Sequence, residues 1–148
     1  MNFLTLGLAA LPLLATAASL ELVTEGWSAY KITLGREASP SERHAAEELQ
    51  RFLEEISGAR LPIVVEEGGE RLILVGNSGV SQRLELSVAP EETGMEGFRI
   101  KTADRRLVIA GGRQRGTLYG VYTFLEKLGC RWFTPEVSRI PRMRTIRV

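Results

Sequence analysis

Ser39-Pro40-Ser41-Glu42 opens the most restrictive stretch of the chain. Ser39 can accept a hydrogen bond from the third helical residue while Glu42 reaches back, and Pro40 has the fixed φ that suits a first helical position. Behind this start, Ala45, Ala46, Leu49, Phe52, Leu53 and Ile56 recur at helical spacing, with Glu47, Glu48, Arg51, Glu54 and Glu55 opposite. Gly58 then supplies a left-handed stop. A helix of about 17 residues with one apolar face is marginal alone in water and must lie on an apolar layer.

That layer is expected to be a sheet. Leu20–Val23 and Ala29–Leu34 read as short strands about a Gly26 turn, and Leu61–Val65 and Leu72–Val75 as strands joined by Gly68-Gly69. Phe98–Lys101 and Leu107–Ala110 read as a hairpin across Thr102–Arg106. Residues 77–95, broken by Gly79, Pro90 and Gly94, read as a loop with a short helical stretch. After Gly111-Gly112 a second helix, about Gln114 to Leu128, presents Leu118, Val121, Tyr122, Leu125 and Leu128 on one face and ends at Gly129. Gly116 and Gly120 on that helix cost about 1 kcal/mol each relative to alanine, so close packing is expected to compensate. The tail passes Trp132, Phe133, Pro135 and Pro141 to a last strand-like piece, Thr145–Val148. Two helices spaced by strand pairs imply an α+β fold: a mainly antiparallel or mixed sheet with both helices packed on one face.

Composition narrows the chemistry. The 148 residues include one His (His44), one Cys (Cys130) and one Asp (Asp104). No internal disulfide and no four-ligand zinc site can be built from these, and no metal or cofactor is expected. Any Ser-His-Asp or Cys-His system would have to run through His44, which sits in the first helical turn beside Glu47 and Glu48. Glycoside hydrolysis needs two carboxyl groups about 5 to 10 Å apart in a cleft. Glu47-Glu48 and Glu54-Glu55 are helix neighbours that point apart and read as a solvated face. Glu66-Glu67 and Glu91-Glu92 lie in turn-rich loops. No catalytic residue is assigned.

The net charge of +1 averages two unlike regions. Residues 1–112 carry 11 basic and 16 acidic side chains, whereas residues 113–148 carry 8 basic and 2 acidic. The basic end lacks aromatics alternating with its arginines, so nucleic acid is not expected as a partner; a docking face for another domain is. Gly111-Gly112-Arg113-Gln114-Arg115-Gly116 stands between strand and helix, where backbone amides and cations can cradle an anion, or where the chain simply turns tightly. Trp132-Phe133 beside Arg131 could stack on a sugar ring or pack inside. The candidates for ligand or interdomain contact are Arg113, Arg115, Tyr119, Arg131, Trp132 and Phe133.

Phe3 to Ala18, FLTLGLAALPLLATAA, is uncharged, interrupted by Pro12 and contains near its end the small-x-small pattern Ala15-Thr16-Ala17. This reads as a secretory signal peptide, residues 1–18, cleaved after Ala17 or Ala18, although Met1-Asn2 lacks a basic side chain. The alternative is a buried N-terminal helix or a membrane anchor. Cleavage leaves a domain of residues 19–148, exported to a periplasmic or extracellular location and not membrane-bound, with Cys130 a lone buried thiol.

The stretch Arg115-Gly-Thr-Leu-Tyr-Gly-Val-Tyr-Thr-Phe-Leu-Glu-Lys-Leu-Gly-Cys-Arg-Trp-Phe-Thr-Pro135 resembles the second half of the non-catalytic N-terminal domain of alpha-glucuronidases. Ala45-Ala46-Glu-Glu-Leu49 and Ser57-Gly-Ala-Arg-Leu-Pro-Ile63 resemble that domain's first helix and following strand. The tyrosine-bearing helix is also similar to one in the second domain of beta-N-acetylhexosaminidases. The resemblance implies a β-α-β sandwich of the hexosaminidase accessory type, and catalytic carboxylates on a (β/α)8 barrel that follows it. None of the family's catalytic residues has a counterpart here. The chain is therefore expected to stop where a barrel would begin and not to be an enzyme by itself. Its expected role is an accessory domain of a secreted glycoside hydrolase in carbohydrate degradation, bracing a catalytic barrel in cis. The alternative is a freestanding exported module binding oligosaccharide through Trp132, Phe133, Tyr119 and nearby arginines; a self-contained hydrolase ranks last.

Overall fold

The structure, a computed structural model, describes residues 19–148; the leader expected at residues 1–18 lies outside the described residues. Strands β1 (Glu21–Val23) and β2 (Lys31–Leu34) precede helix α1 (Pro40–Ser57), which is followed by β3 (Ile63–Val65) and β4 (Leu72–Val75). Two short helical turns, α2 (Gly79–Arg83) and α3 (Pro90–Thr93), interrupt the next loop. The hairpin of β5 (Phe98–Ala103) and β6 (Arg106–Gly111) leads into α4 (Gly116–Lys127). Short strands β7 (Arg131–Trp132), β8 (Ser138–Arg139) and β9 (Ile146–Arg147) finish the chain.

The start of α1 is built as its sequence requires. The Ser39 side chain accepts the Glu42 N–H at 3.2 Å, Glu42 Oε2 accepts the Ser39 N–H at 2.7 Å, and Gly58 ends the helix at φ 83°. Its apolar stripe, Ala45 through Ile56, is buried together with Val121, Phe124 and Leu125 of α4 against Ile32, Leu34, Ile73, Val75, Leu107 and Ile109 of the sheet. Both long helices therefore cover one sheet face, in an α+β arrangement. The glycines of α4 are compensated as expected: a Cβ on Gly120 would stand 2.8 Å from Ile109 Cγ2.

The five-stranded sheet has the order β3-β2-β4-β6-β5. It is mixed, and its balance leans parallel: β2 pairs in parallel with β3 and β4, β4 with β6, and only β5 and β6 are antiparallel. The physical reason is the crossover through α1, which returns the chain to the same end of the sheet and sets β3 beside β2 in the same direction. Gly68-Gly69 thus belongs to a return connection across β2, where Thr33 Oγ1 donates to the Glu67 carbonyl at 3.3 Å and Lys31 pairs with Glu67. The opposite sheet face buries Leu72, Leu74, Val108 and Ala110 under Val80 and Val88, so the segment from α2 to Val88 is a structural layer rather than a free loop.

The C-terminal residues form a strap. Arg131–Trp132 pairs with Ser138–Arg139, the Met143 N–H reaches the Ile56 carbonyl at 2.9 Å at the end of α1, and β9 pairs with β1. Leu20 and Val148 exchange two backbone hydrogen bonds, at 2.7 and 2.9 Å, which brings both ends of the described chain together.

Candidate functional site

Because α1 follows β2 and α4 follows β6, both helices begin at the carboxyl ends of the parallel strands. Each of the three central strands runs straight into a glycine there: Leu34-Gly35, Val75-Gly76 and Ala110-Gly111. The space these turns leave is a crevice of about 690 Å³, bordered by Arg36, Glu42, Glu66, Ser78, Met95 and Arg113 among others. Crevices outside the carboxyl ends of strands are where open α/β sheets bind ligands. Glu66, itself left-handed at φ 54°, caps α2: its Oε1 accepts the Gly79 and Arg36 N–H groups at 3.0 and 3.1 Å. These bonds, that from Gly79 foremost, hold its carboxyl below the ordinary glutamate range. The Asn77 amide clamps Val88 through two hydrogen bonds, at 2.7 and 2.9 Å, and fixes the crevice's far wall.

The glycine-rich turn after β6 is filled by the chain itself. The Gly112 N–H donates to the Gly97 carbonyl at 3.0 Å, and the Gly111 N–H to Thr117 Oγ1 at 3.1 Å. A Cβ on Gly112 would stand 1.8 Å from the Met95 carbonyl oxygen, and one on Gly116 only 2.2 Å from that of Gly97. Of the two readings of this turn, close backbone approach accounts for its glycines. Arg113 ties the turn to α1: its guanidinium donates to the Glu37 carbonyl, and its own carbonyl accepts from Ser39 Oγ at 2.9 Å.

The six sequence candidates fall into two groups at opposite ends of α4. Arg113, Arg115 and Tyr119 lie at its start, all exposed, with Arg115 Nη1 3.9 Å from Glu96. Arg131, Trp132 and Phe133 lie past its end. Arg131 donates to the Glu126 and Cys130 carbonyls at 2.7 and 2.6 Å, satisfying the last turn of α4. Trp132 is packed: Phe52 and Tyr122 meet its ring edge-on, with centroids 5.4 and 5.1 Å away. Tyr122 continues this cluster by donating to Glu48 Oε2 at 2.7 Å, while Arg51 bonds the same carboxylate at 3.0 Å. Burial, then the Glu48 bond, push the Tyr122 hydroxyl up to about 12. For Glu48, burial acts upward but is outweighed by Arg51 and Tyr122, which hold the carboxyl below its ordinary range. Phe133, by contrast, is 66% exposed at the hairpin tip beside Val137 at 53%.

Among the described residues, several of the carboxylates and the lone histidine are engaged or exposed individually. Glu54 pairs with Arg60, Glu67 with Lys31 and Glu92 with Arg99, and His44 is exposed on α1. Among the described residues no three of His, Cys, Asp and Glu gather where they could hold a metal ion. The crevice's Glu42, Glu66 and Met95 were not among the sequence candidates. The repeated strand-glycine junction was the available signal.

The fold has counterparts among solved structures. A solved family GH115 4-O-methyl-alpha-glucuronidase, with specificity for decorated arabinogalactans, superposes with a TM-score of 0.62 at 21% identity over 87% of this chain. The match spans only 17% of that protein, so the fold here corresponds to about a sixth of its length. The GH20 beta-N-acetylhexosaminidase from Streptomyces coelicolor A3(2) matches 75% of this chain and 18% of its own, at 21% identity and a TM-score of 0.49. No curated protein sequence matches. Residues 18–124 match the family described as Glycosyl hydrolase family 67 N-terminus, and the chain belongs to that family of glycosidase N-terminal domains.

Proposed function

We propose that this domain is a non-catalytic accessory unit of a longer, exported glycoside hydrolase acting on carbohydrate polymers, and that it braces a catalytic barrel in cis. The observation that carries the reading is the strap. It presents exposed Phe133 and Val137 on the same hairpin as Arg139, which is exposed and not ion-paired among the described residues. An exposed apolar pair next to an unpaired arginine suits a partner surface. At least one carboxylate of each neighbouring Glu pair is tied up, Glu48, Glu54, Glu67 and Glu92 in ion pairs and Glu66 in a cap, which supports placing the chemistry elsewhere. Export is proposed from the apolar leader ending at Ala18.

The test compares two contexts. Phe133→Ser together with Val137→Ser should leave the thermal midpoint of the 148-residue chain unchanged, because both side chains already meet solvent. In the longer protein the same pair should lower it by several degrees, since burial of each is worth about 1.5–3 kcal/mol. An unchanged midpoint in the longer protein refutes the bracing role of this surface.

A further inference from the structure

We propose that the crevice at the carboxyl ends of β2, β4 and β6 binds one or two sugar rings, through hydroxyl contacts to Glu42, Arg36 and Arg113 and ring contact with Met95. Its volume of about 690 Å³ falls within the range of small-ligand sites, about 300–1,000 Å³. Three features of its wall define the ligand.

The first is an acceptor aimed inward. The Glu42 side chain is buried, at 3% exposure, and Oε2 is used by the Ser39 N–H. No hydrogen bond closes Oε1 among the described residues; it lies over Gly76, where a Cβ would stand 2.5 Å away. Only glycine leaves that oxygen its place at the crevice wall. The second feature is a pair of cations with donors to spare: the Arg36 guanidinium has no protein partner among the described residues, and that of Arg113 makes one bond, to the Glu37 carbonyl. Neither Arg36 nor Arg113 is ion-paired among the described residues, although nine other basic side chains are. Gln82 and Gln114 add amides that both donate and accept. The third is an apolar lip of Val88, Pro90 and Met95, the last 67% exposed.

A sugar hydroxyl is donor and acceptor at once, and a ring carries an apolar C–H face, so this mixture matches it. A phosphate does not fit as well. Glu37, Glu42 and Glu66 stand against two arginines, and the amides of the adjoining glycine turn already have partners within the chain. The crevice also lies away from the strap. Helix α1 separates them by about 27 Å at 1.5 Å per residue, so a domain seated on the strap leaves the crevice open, and the two ideas fail separately.

The experiment is a titration of the 148-residue chain, followed by backbone amide NMR, with xylose, glucuronic acid and N-acetylglucosamine, and with inorganic phosphate as the non-sugar probe. At least one sugar should shift the Gly35, Gly79 and Gly112 amides with a millimolar dissociation constant, and phosphate should not. Met95→Ala and Arg113→Ala should each weaken that binding about tenfold, the loss of one good contact. Met95 is exposed, so its variant keeps the wild-type midpoint; Arg113→Ala is read only beside it. No shift of these amides by any of the three sugars overturns the proposal. So do shifts that phosphate reproduces, shifts confined to Trp132 and Phe133, or binding that Met95→Ala leaves unchanged.

Discussion

Replacing Gly116 by alanine tests the packing that shapes the crevice. Gly116 is the first residue of α4, and its added methyl would stand 2.2 Å from the Gly97 carbonyl oxygen, 3.1 Å from the Gly111 carbonyl carbon and 3.2 Å from that of Gly97. All three are backbone atoms, so relief requires moving the Gly97 segment off the helix by more than an ångström. Overpacking of this kind costs about 1–3 kcal/mol, and disturbing the Gly112 N–H to Gly97 bond costs about 0.5–1.5 kcal/mol more. Helix propensity returns at most about 1 kcal/mol. The net loss is about 2 kcal/mol, which for a domain of this size lowers the melting midpoint by about 8 °C. Gly68→Ala is the control: nothing lies within 4 Å of its added Cβ and its φ is not left-handed. It should be neutral or gain about 0.4–1 kcal/mol. Thermal unfolding followed by circular dichroism reads both. A Gly116→Ala midpoint at or above wild type would refute the contact between α4 and the Gly97 segment.

Tyr122→Phe removes the hydroxyl that donates to half-buried Glu48 and should cost about 1–1.5 kcal/mol in chemical denaturation; no loss would mean Arg51 alone satisfies that carboxylate. Glu48 and Glu66 are both held below the ordinary glutamate value of 4.5. Their stabilisation is therefore complete above that value and is lost as pH falls through their lowered folded values. Denaturation midpoints should accordingly drop on acidification below about pH 4.3, and Glu48→Gln should flatten the drop; an unaltered pH profile counts against the Glu48 cluster. Cys130 is fully buried, and burial, then Glu55, push its thiol up. It should react with an aromatic disulfide reagent only on unfolding, and rapid labelling of the native domain would contradict its placement.

The amphipathic helix was legible because its cap, stripe and stop are all local. Ser39, Glu42 and Gly58 do in the structure what their types require. The β5–β6 hairpin was legible for the same reason, its turn being only a few residues long. Strand direction at the sheet centre was harder, since it depends on whether α1 carries the chain back to the same end of the sheet. Yet Leu72–Val75 and Leu107–Ala110 are unbroken apolar runs, the mark of strands covered on both faces, and parallel pairing follows from that. Residues 77–95 read as a loop because Gly79, Pro90 and Gly94 break them, yet Val80 and Val88 are buried in the second core and Leu84 and Leu86 pack against it. The candidate site divided along the same line. Trp132 carries no sequence mark separating a platform from a packed ring, and its fate was set by Phe52 and Tyr122, some 80 and 10 residues away. Glu42 was visible as a cap, whereas its second oxygen became a crevice wall only when α1 came to lie over Gly76.

The proposed accessory role requires that this domain do no hydrolysis of its own. The direct measurement is release of chromophore from aryl alpha-glucuronides and aryl beta-N-acetylglucosaminides by the purified 148-residue chain. The account predicts release no faster than in buffer. Turnover that follows the protein through purification and disappears on Glu→Gln substitution in the crevice would contradict it.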